Sequence, residues 1–180
     1  MTRILPAYLR YLSAALLVML STGVYAQKQT KLTDPEIASV AVTANQIDID
    51  FAQIAIEKSK NTEILNFAKT MANDHKAVID QAVALVTRLK VSPQVNDLSK
   101  KLLSDAEKTK AMLKRTKASN FDKVYIDNEV AYHKAVIGAV ETVLVPQSAN
   151  AELKGLLEKV LPALRTHLAH AEMVQQKLPK

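Results

Sequence analysis

The sequence predicts an all-α fold: a bundle of four long helices, the first, second, fourth and fifth of the chain, joined by a long helical crossover, the third. Two observations carry that expectation. Glycine (3) and proline (6) are scarce in a 180-residue chain that is 48% apolar, which favours long helices over strands and turns. Apolar residues also recur at three- and four-residue steps through five segments, each bounded by capping or breaking residues.

The first helix is expected over about 34–58. Asp34-Pro35-Glu36 supplies a cap, a proline tolerated in the first turn and an acidic side chain at the positive helix end. Its apolar stripe runs Ile37, Val40, Ala44, Ile47, Phe51, Ile54. After the tight link Ser59-Lys60-Asn61, the second helix is expected over about 62–90. It bears Leu65, Ala68, Met71, His75, Ile79, Ala82 and Leu89, and Val91-Ser92-Pro93 stops it. The third is expected over about 97–117, with a weaker stripe of Leu98, Leu102, Ala106, Thr109 and Leu113. Ser119 with Asp122 resembles a capping box opening the fourth helix. That helix carries Tyr125, Val130, His133, Ile137, Val140 and Leu144 to about residue 145, where Pro146-Gln147-Ser148 ends it. The fifth, about 150–177, carries Leu153, Leu157, Val160, Leu164, His167, Ala171 and Val174. Pro162 inside it removes one backbone hydrogen bond and predicts a bend around the core.

Link lengths set the topology. Short links make antiparallel hairpins of helices one and two and of helices four and five. A third helix of that length spans about 30 Å at 1.5 Å per residue, enough to return the chain along the bundle. Four long helices with one long crossover is a ferritin-like arrangement.

The N-terminus reads as a cleavable signal peptide, residues 1–26, ahead of the bundle domain, 27–180. Arg3 and Arg10 flank a start that runs into the apolar stretch Tyr11–Leu20. Val24-Tyr25-Ala26 then places small residues at the −3 and −1 positions of a cleavage site. The stretch is shorter than the ~20 residues a spanning helix needs, so an exported, periplasmic protein without a transmembrane segment is expected. The absence of cysteine excludes disulfides, thiolate metal sites and a cysteine nucleophile.

Removal of Arg3 and Arg10 lowers the formal charge from +6 to +4. The excess sits in the third helix, on Lys100, Lys101, Lys108, Lys110, Lys114, Arg115 and Lys117. Such a face suits an anionic envelope surface or is simply solvated. Nucleic acid is not an expected partner of an exported chain.

The candidate chemistry lies in the histidines. His75, His133 and His167 each fall on the apolar stripe of a different helix, and Asp48 sits at the edge of the stripe of the first. Asp74, Glu129 and His170 lie within one turn of them. Buried imidazoles and carboxyls are costly unless paired. They form either a hydrogen-bonded layer that fixes helix register or an internal metal site, whose nitrogen and oxygen donors suit Zn, Fe, Mn or Cu. No Glu-x-x-His motif occurs, so a full di-iron centre is not expected, and a metal-dependent oxidase is the least favoured reading. No phosphate loop, HExxH or GxSxG motif points to another enzyme class. A non-catalytic envelope-interaction or stress-protective module remains the alternative to metal binding.

The chain resembles the bacterial exported domain-of-unknown-function family 4142, predicted outer membrane proteins. The resemblance rests on Ala44-Asn45-x-x-Asp48-Ile49, Phe67-Ala68-x-x-Met71-x-x-Asp74-His75, Phe121-Asp122-x-x-Tyr125-Ile126 with His133, and Leu161-Pro162-x-Leu164-x-x-His167-Leu168. It implies a ferritin-like bundle and no particular activity. The family usually has Glu where this chain has Asp48, so ligation from the first helix requires a closer approach. The outer-membrane label fits poorly with a chain that lacks the alternating strands of a barrel.

Overall fold

In the computed structural model, the residues described are 31–179; the expected signal segment, 1–26, lies outside them. Five long helices make up the fold, with no strand among the described residues. They are α1 (Asp34–Lys58), α2 (Thr62–Arg88), α3 (Asp97–Arg115), α4 (Ala118–Ala139) and α5 (Ala151–Lys177). Among the described residues no helix is long and apolar enough to cross a membrane.

The ends of α1 and α4 differ from expectation. Thr33, not Asp34, is the N-cap of α1, and its backbone N–H and hydroxyl both donate to the Glu36 carboxylate. Asp34 instead accepts from the backbone N–H groups of Ala149 and Asn150 at 2.9 Å, bracing the link into α5. The Ser119–Asp122 box does not form. Lys117 is the N-cap of α4, and Asp122 accepts from the Ser59 hydroxyl at 2.6 Å, tying the start of α4 to the end of α1. A long-range partner won over a local cap. Further along, α4 widens into a π-helical turn, Val140–Leu144, before the short α turn Val145–Gln147. Helix α5 runs without interruption through Pro162.

Cross-links set the directions. Tyr132 donates from its hydroxyl to the Ala44 carbonyl at 2.8 Å, so α4 runs antiparallel to α1 given the Ser59–Asp122 bond. Lys134 pairs with Glu172, and Arg165 with Glu141, across antiparallel α4 and α5. Arg88 pairs with Glu152, and Lys177 with Glu63, across antiparallel α2 and α5. Helix α3 lies along α1 in the same direction. It starts where Asn96 donates to the Glu36 carbonyl, and it ends where the Lys58 ammonium donates to the carbonyls of Leu113, Lys114 and Thr116. A cation among the unpaired carbonyls of a helix C-terminus is stabilising. Along α3, Lys100, Lys101, Lys108 and Lys110 all face acidic partners (Asp97, Asp105, Asp50 and Glu107), so the basic excess is partly answered on the spot.

The core has two halves. Phe51, Phe67, Phe121 and Tyr125, all essentially inaccessible, fill the half near the end of α1. Their rings meet in edge and stacked geometry, Phe67–Tyr125 and Phe121–Tyr125 at 6.2 and 6.1 Å. The half near the start of α1 is aliphatic: Ile37, Val40, Leu85, Ile137, Leu144, Leu157 and Leu164. It surrounds a cavity of about 510 Å³. The aliphatic half is therefore the less firmly packed one.

Just past the C-cap of α2, Leu89, stands Lys90, whose φ of 55° is left-handed, with Val91 N–H donating back to the Val86 carbonyl. That position favours glycine. Lys90→Gly should raise stability by about 0.5–1 kcal/mol, roughly 2–4 °C in Tm per kcal/mol at this size. Thermal denaturation of the variant checks this, and an unchanged or lowered Tm would refute it.

Candidate metal centre

Between the aromatic and aliphatic halves lies a polar layer. Helix α1 contributes Asp48, α2 His75, α4 Glu129 and His133, and α5 His167, and all five are buried. Asp48, Glu129 and His133 are at most 1% exposed. The ring centroids of His75, His133 and His167 stand 5.2–5.7 Å apart. Each of the three rings offers one ligand atom within 4.8 Å of the others, and Asp48, Glu129 and His133 form a second such group. His133 belongs to both. Asp48 Oδ2 lies 3.3 Å from His75 Nε2 and 3.6 Å from His133 Nε2.

The tautomer of each ring follows from its neighbours. Asn45, one turn before Asp48, donates its amide N–H to the Ala41 carbonyl at 2.8 Å. Its Oδ1 therefore faces His75 and can only accept, so His75 Nδ1–H donates to it at 2.7 Å. His133 Nδ1–H donates to the Glu129 backbone carbonyl at 3.0 Å, again a pure acceptor. His167 Nε2–H donates to the Asp74 carboxylate at 3.0 Å. Each neutral ring is thus left with a lone pair on its other nitrogen. Those nitrogens, His75 Nε2, His133 Nε2 and His167 Nδ1, are buried with no hydrogen-bond partner, as are both Asp48 oxygens, Glu129 Oε2 and the Tyr125 hydroxyl. Buried polar atoms without partners are rare in folded proteins, and seven around one layer call for an explanation.

Electrostatics match the geometry. Burial pushes the Asp48 carboxyl up to about 8. Burial, with the Asp48 charge behind it, pushes Glu129 well above the ordinary carboxyl range. Burial, then the neighbouring imidazoles, lowers His75 to about 3; burial and His167 lower His133 to about 4, against the raising effect of its bond to the Glu129 carbonyl. With its proton in place the Asp48 carboxyl can donate across 3.3 Å to the lone pair of His75 Nε2. A cation that takes the lone pairs and displaces the carboxyl protons would satisfy the same atoms more fully.

Of the residues singled out from sequence, the structure brings Asp48, His75, His133, His167 and Glu129 into one layer. Asp74 stands behind His167, half exposed, as its acceptor. His170 does not join them: its ring packs on Phe67, with centroids 5.1 Å apart. Sequence reasoning assigned no role to Asn45, although its place three residues before Asp48 on one helix face was the available signal. Tyr125 it read as core, not as a hydroxyl facing this layer.

A family model described as "Domain of unknown function (DUF4142)" matches residues 20–174. Neither a curated protein nor a solved structure matches the chain.

Proposed function

The chain belongs to the DUF4142 family, and on that premise we propose that it is an exported, periplasmic, ferritin-like four-helix-bundle protein that binds one transition-metal ion in its interior. The antiparallel pairs α1–α2 and α4–α5, with α3 returning alongside α1, support the bundle reading. The order of charge, apolar stretch and small residues at the N-terminus supports export. One observation carries the metal reading: three imidazoles, oriented by outer acceptors, turn buried ring nitrogens without hydrogen-bond partners into one layer with the buried Asp48 carboxyl. Metal-bound histidines are held in this way, the second ring nitrogen donating to a carbonyl or carboxylate.

His75, His133, His167 and Asp48 are the ligands, with Glu129 beside them as a further oxygen donor. Ligands about 2.0–2.1 Å from a tetrahedral ion stand roughly 3.3 Å from one another. The 3.3 and 3.6 Å separations from Asp48 already meet that spacing. Asp48 reaches its neighbours despite its short side chain. Nitrogen-rich donors with one carboxylate suit Zn, Fe, Mn or Cu.

The test is metal titration of chelator-stripped protein carrying no histidine tag. One of Zn²⁺, Fe²⁺, Mn²⁺ or Cu²⁺ should bind at one per chain. At a thousandfold excess over Kd, stabilisation should reach about 4 kcal/mol, or roughly 10 °C in Tm. A Tm indifferent to all four metals would rule the reading out.

A further inference from the structure

The four ligand side chains of the metal reading share a second surroundings. Asp48, His75, His133 and His167 all line the 510 Å³ cavity, whereas Glu129 and Tyr125 do not. The cavity therefore meets the layer at its four ligand side chains and at Asn45 and Asp74, which orient two of the rings, but not at Glu129. From there it extends through the aliphatic half, past Leu164, Leu157 and Val40 toward Leu144 and Leu153. Along α1 it reaches from Asp48 back to Ala38, ten residues or about 15 Å of helix. Asp74, Ala77 and Gln81 of α2, Ala135 of α4 and Lys159 and Ala163 of α5 are lining residues that are exposed, so it meets solvent along its length.

Both the volume and the lining are those of a small-molecule site: apolar walls, with a few convergent polar groups at one end. The length favours a linear chain over a compact ring system. At the polar end an ion held by three nitrogens and one oxygen takes a further ligand by expanding to five-coordinate, and the cavity is the space that adjoins it. An anionic oxygen suits the same metals. Without the ion, that end presents unpartnered lone pairs, which repel an anion.

We infer that the cavity takes a long-chain monocarboxylate, its alkyl chain along the aliphatic half and its carboxylate on the metal ion held by Asp48, His75, His133 and His167. This rests on the metal reading above, with the apolar cavity as its independent support.

The test uses protein stripped of metal and lipid, titrated first with Zn²⁺ alone and then, once loaded at one ion per chain, with dodecanoate by calorimetry. Dodecanoate should bind at one per chain. Each buried methylene contributes about fourfold in affinity, so hexanoate should bind at least about a hundredfold more weakly. Dodecan-1-ol and metal-free protein should each lose about tenfold or more. Ala139→Phe and Val160→Trp, which fill the cavity from partly buried wall positions, should abolish dodecanoate binding yet leave Zn²⁺ affinity within about threefold. If Zn²⁺ binds but dodecanoate does not, or hexanoate binds as well, or metal-free protein binds dodecanoate equally, this inference falls and the metal reading stands. Should both wall variants bind dodecanoate normally, the chain does not lie in this cavity. Failure of the first Zn²⁺ titration overturns this inference, and the metal reading falls with it only if Fe²⁺, Mn²⁺ and Cu²⁺ also fail to bind.

Discussion

Replacing His133 by Ala should abolish metal binding, because His133 alone belongs to both ligand groups of the interior layer. Affinity for the ion that binds best should fall by more than about a hundredfold. That exceeds the 10–100-fold loss expected at Asn45→Ala or Asp74→Ala, where only the partner orienting a ring is removed. His170→Ala should leave affinity unchanged, since that ring packs on Phe67 outside the layer. Equilibrium dialysis of the four variants orders them. Parental affinity in His133→Ala, with its melting transition intact, would leave the site without its central ligand.

The second large effect is in pH. Between about 3.8 and 8 the folded chain keeps on Asp48 a proton that the unfolded chain has released. Stability therefore falls as pH rises across that window. Glu129, raised in the same direction by burial, adds to the fall. His75 and His133 act oppositely. Below 6.5 the unfolded chain binds protons that the folded rings, lowered to about 3 and about 4, refuse, so their contribution grows with pH and is complete by about 6.5. Above that only the carboxyls matter, and metal-free protein should lose on the order of 1 kcal/mol per pH unit for each retained proton. Metal-loaded protein has already given those protons up. The Tm difference between loaded and metal-free protein should therefore widen from pH 6.5 to pH 8 by about 5 °C. Scanning calorimetry at both pH values checks this. A gap that narrows would mean the carboxyls are already ionised without the ion.

Much of the fold could be read along the chain, since helices of about twenty-five residues with clear apolar periodicity announce themselves locally. Expected bounds for α1 coincide with those found, and α2, α3 and α5 differ by one or two residues at their ends. The errors came from partners far away in sequence. Asp34 and Asp122 look like caps within their own helices, yet each is claimed by another segment, at 149–150 and at Ser59. The π turn at 140–144 left no signature that periodicity detects. At the site, the inward facing of His75, His133 and His167, with Asp48 at the edge of its stripe, could be read from helical spacing. Their common level could not, because spacing fixes a face and not a height along the bundle. Nor could the partners that fix ring orientation, Asn45 and the Glu129 carbonyl, because a hydrogen bond through an amide or a backbone oxygen leaves no mark on apolar spacing. The cavity could not be read at all: valine, leucine and alanine on facing stripes look the same whether they touch or stand apart.

The uneven filling of the two halves bears on how the molecule opens. Amides flanked by Phe51, Phe67, Phe121 and Tyr125 have the greatest packing to lose and should exchange with solvent deuterium only on global unfolding. Those around Leu85, Val140 and Leu157 should exchange earlier, through a partial opening that leaves the aromatic end intact. Such a molecule admits a guest from one pole while the other serves as its footing.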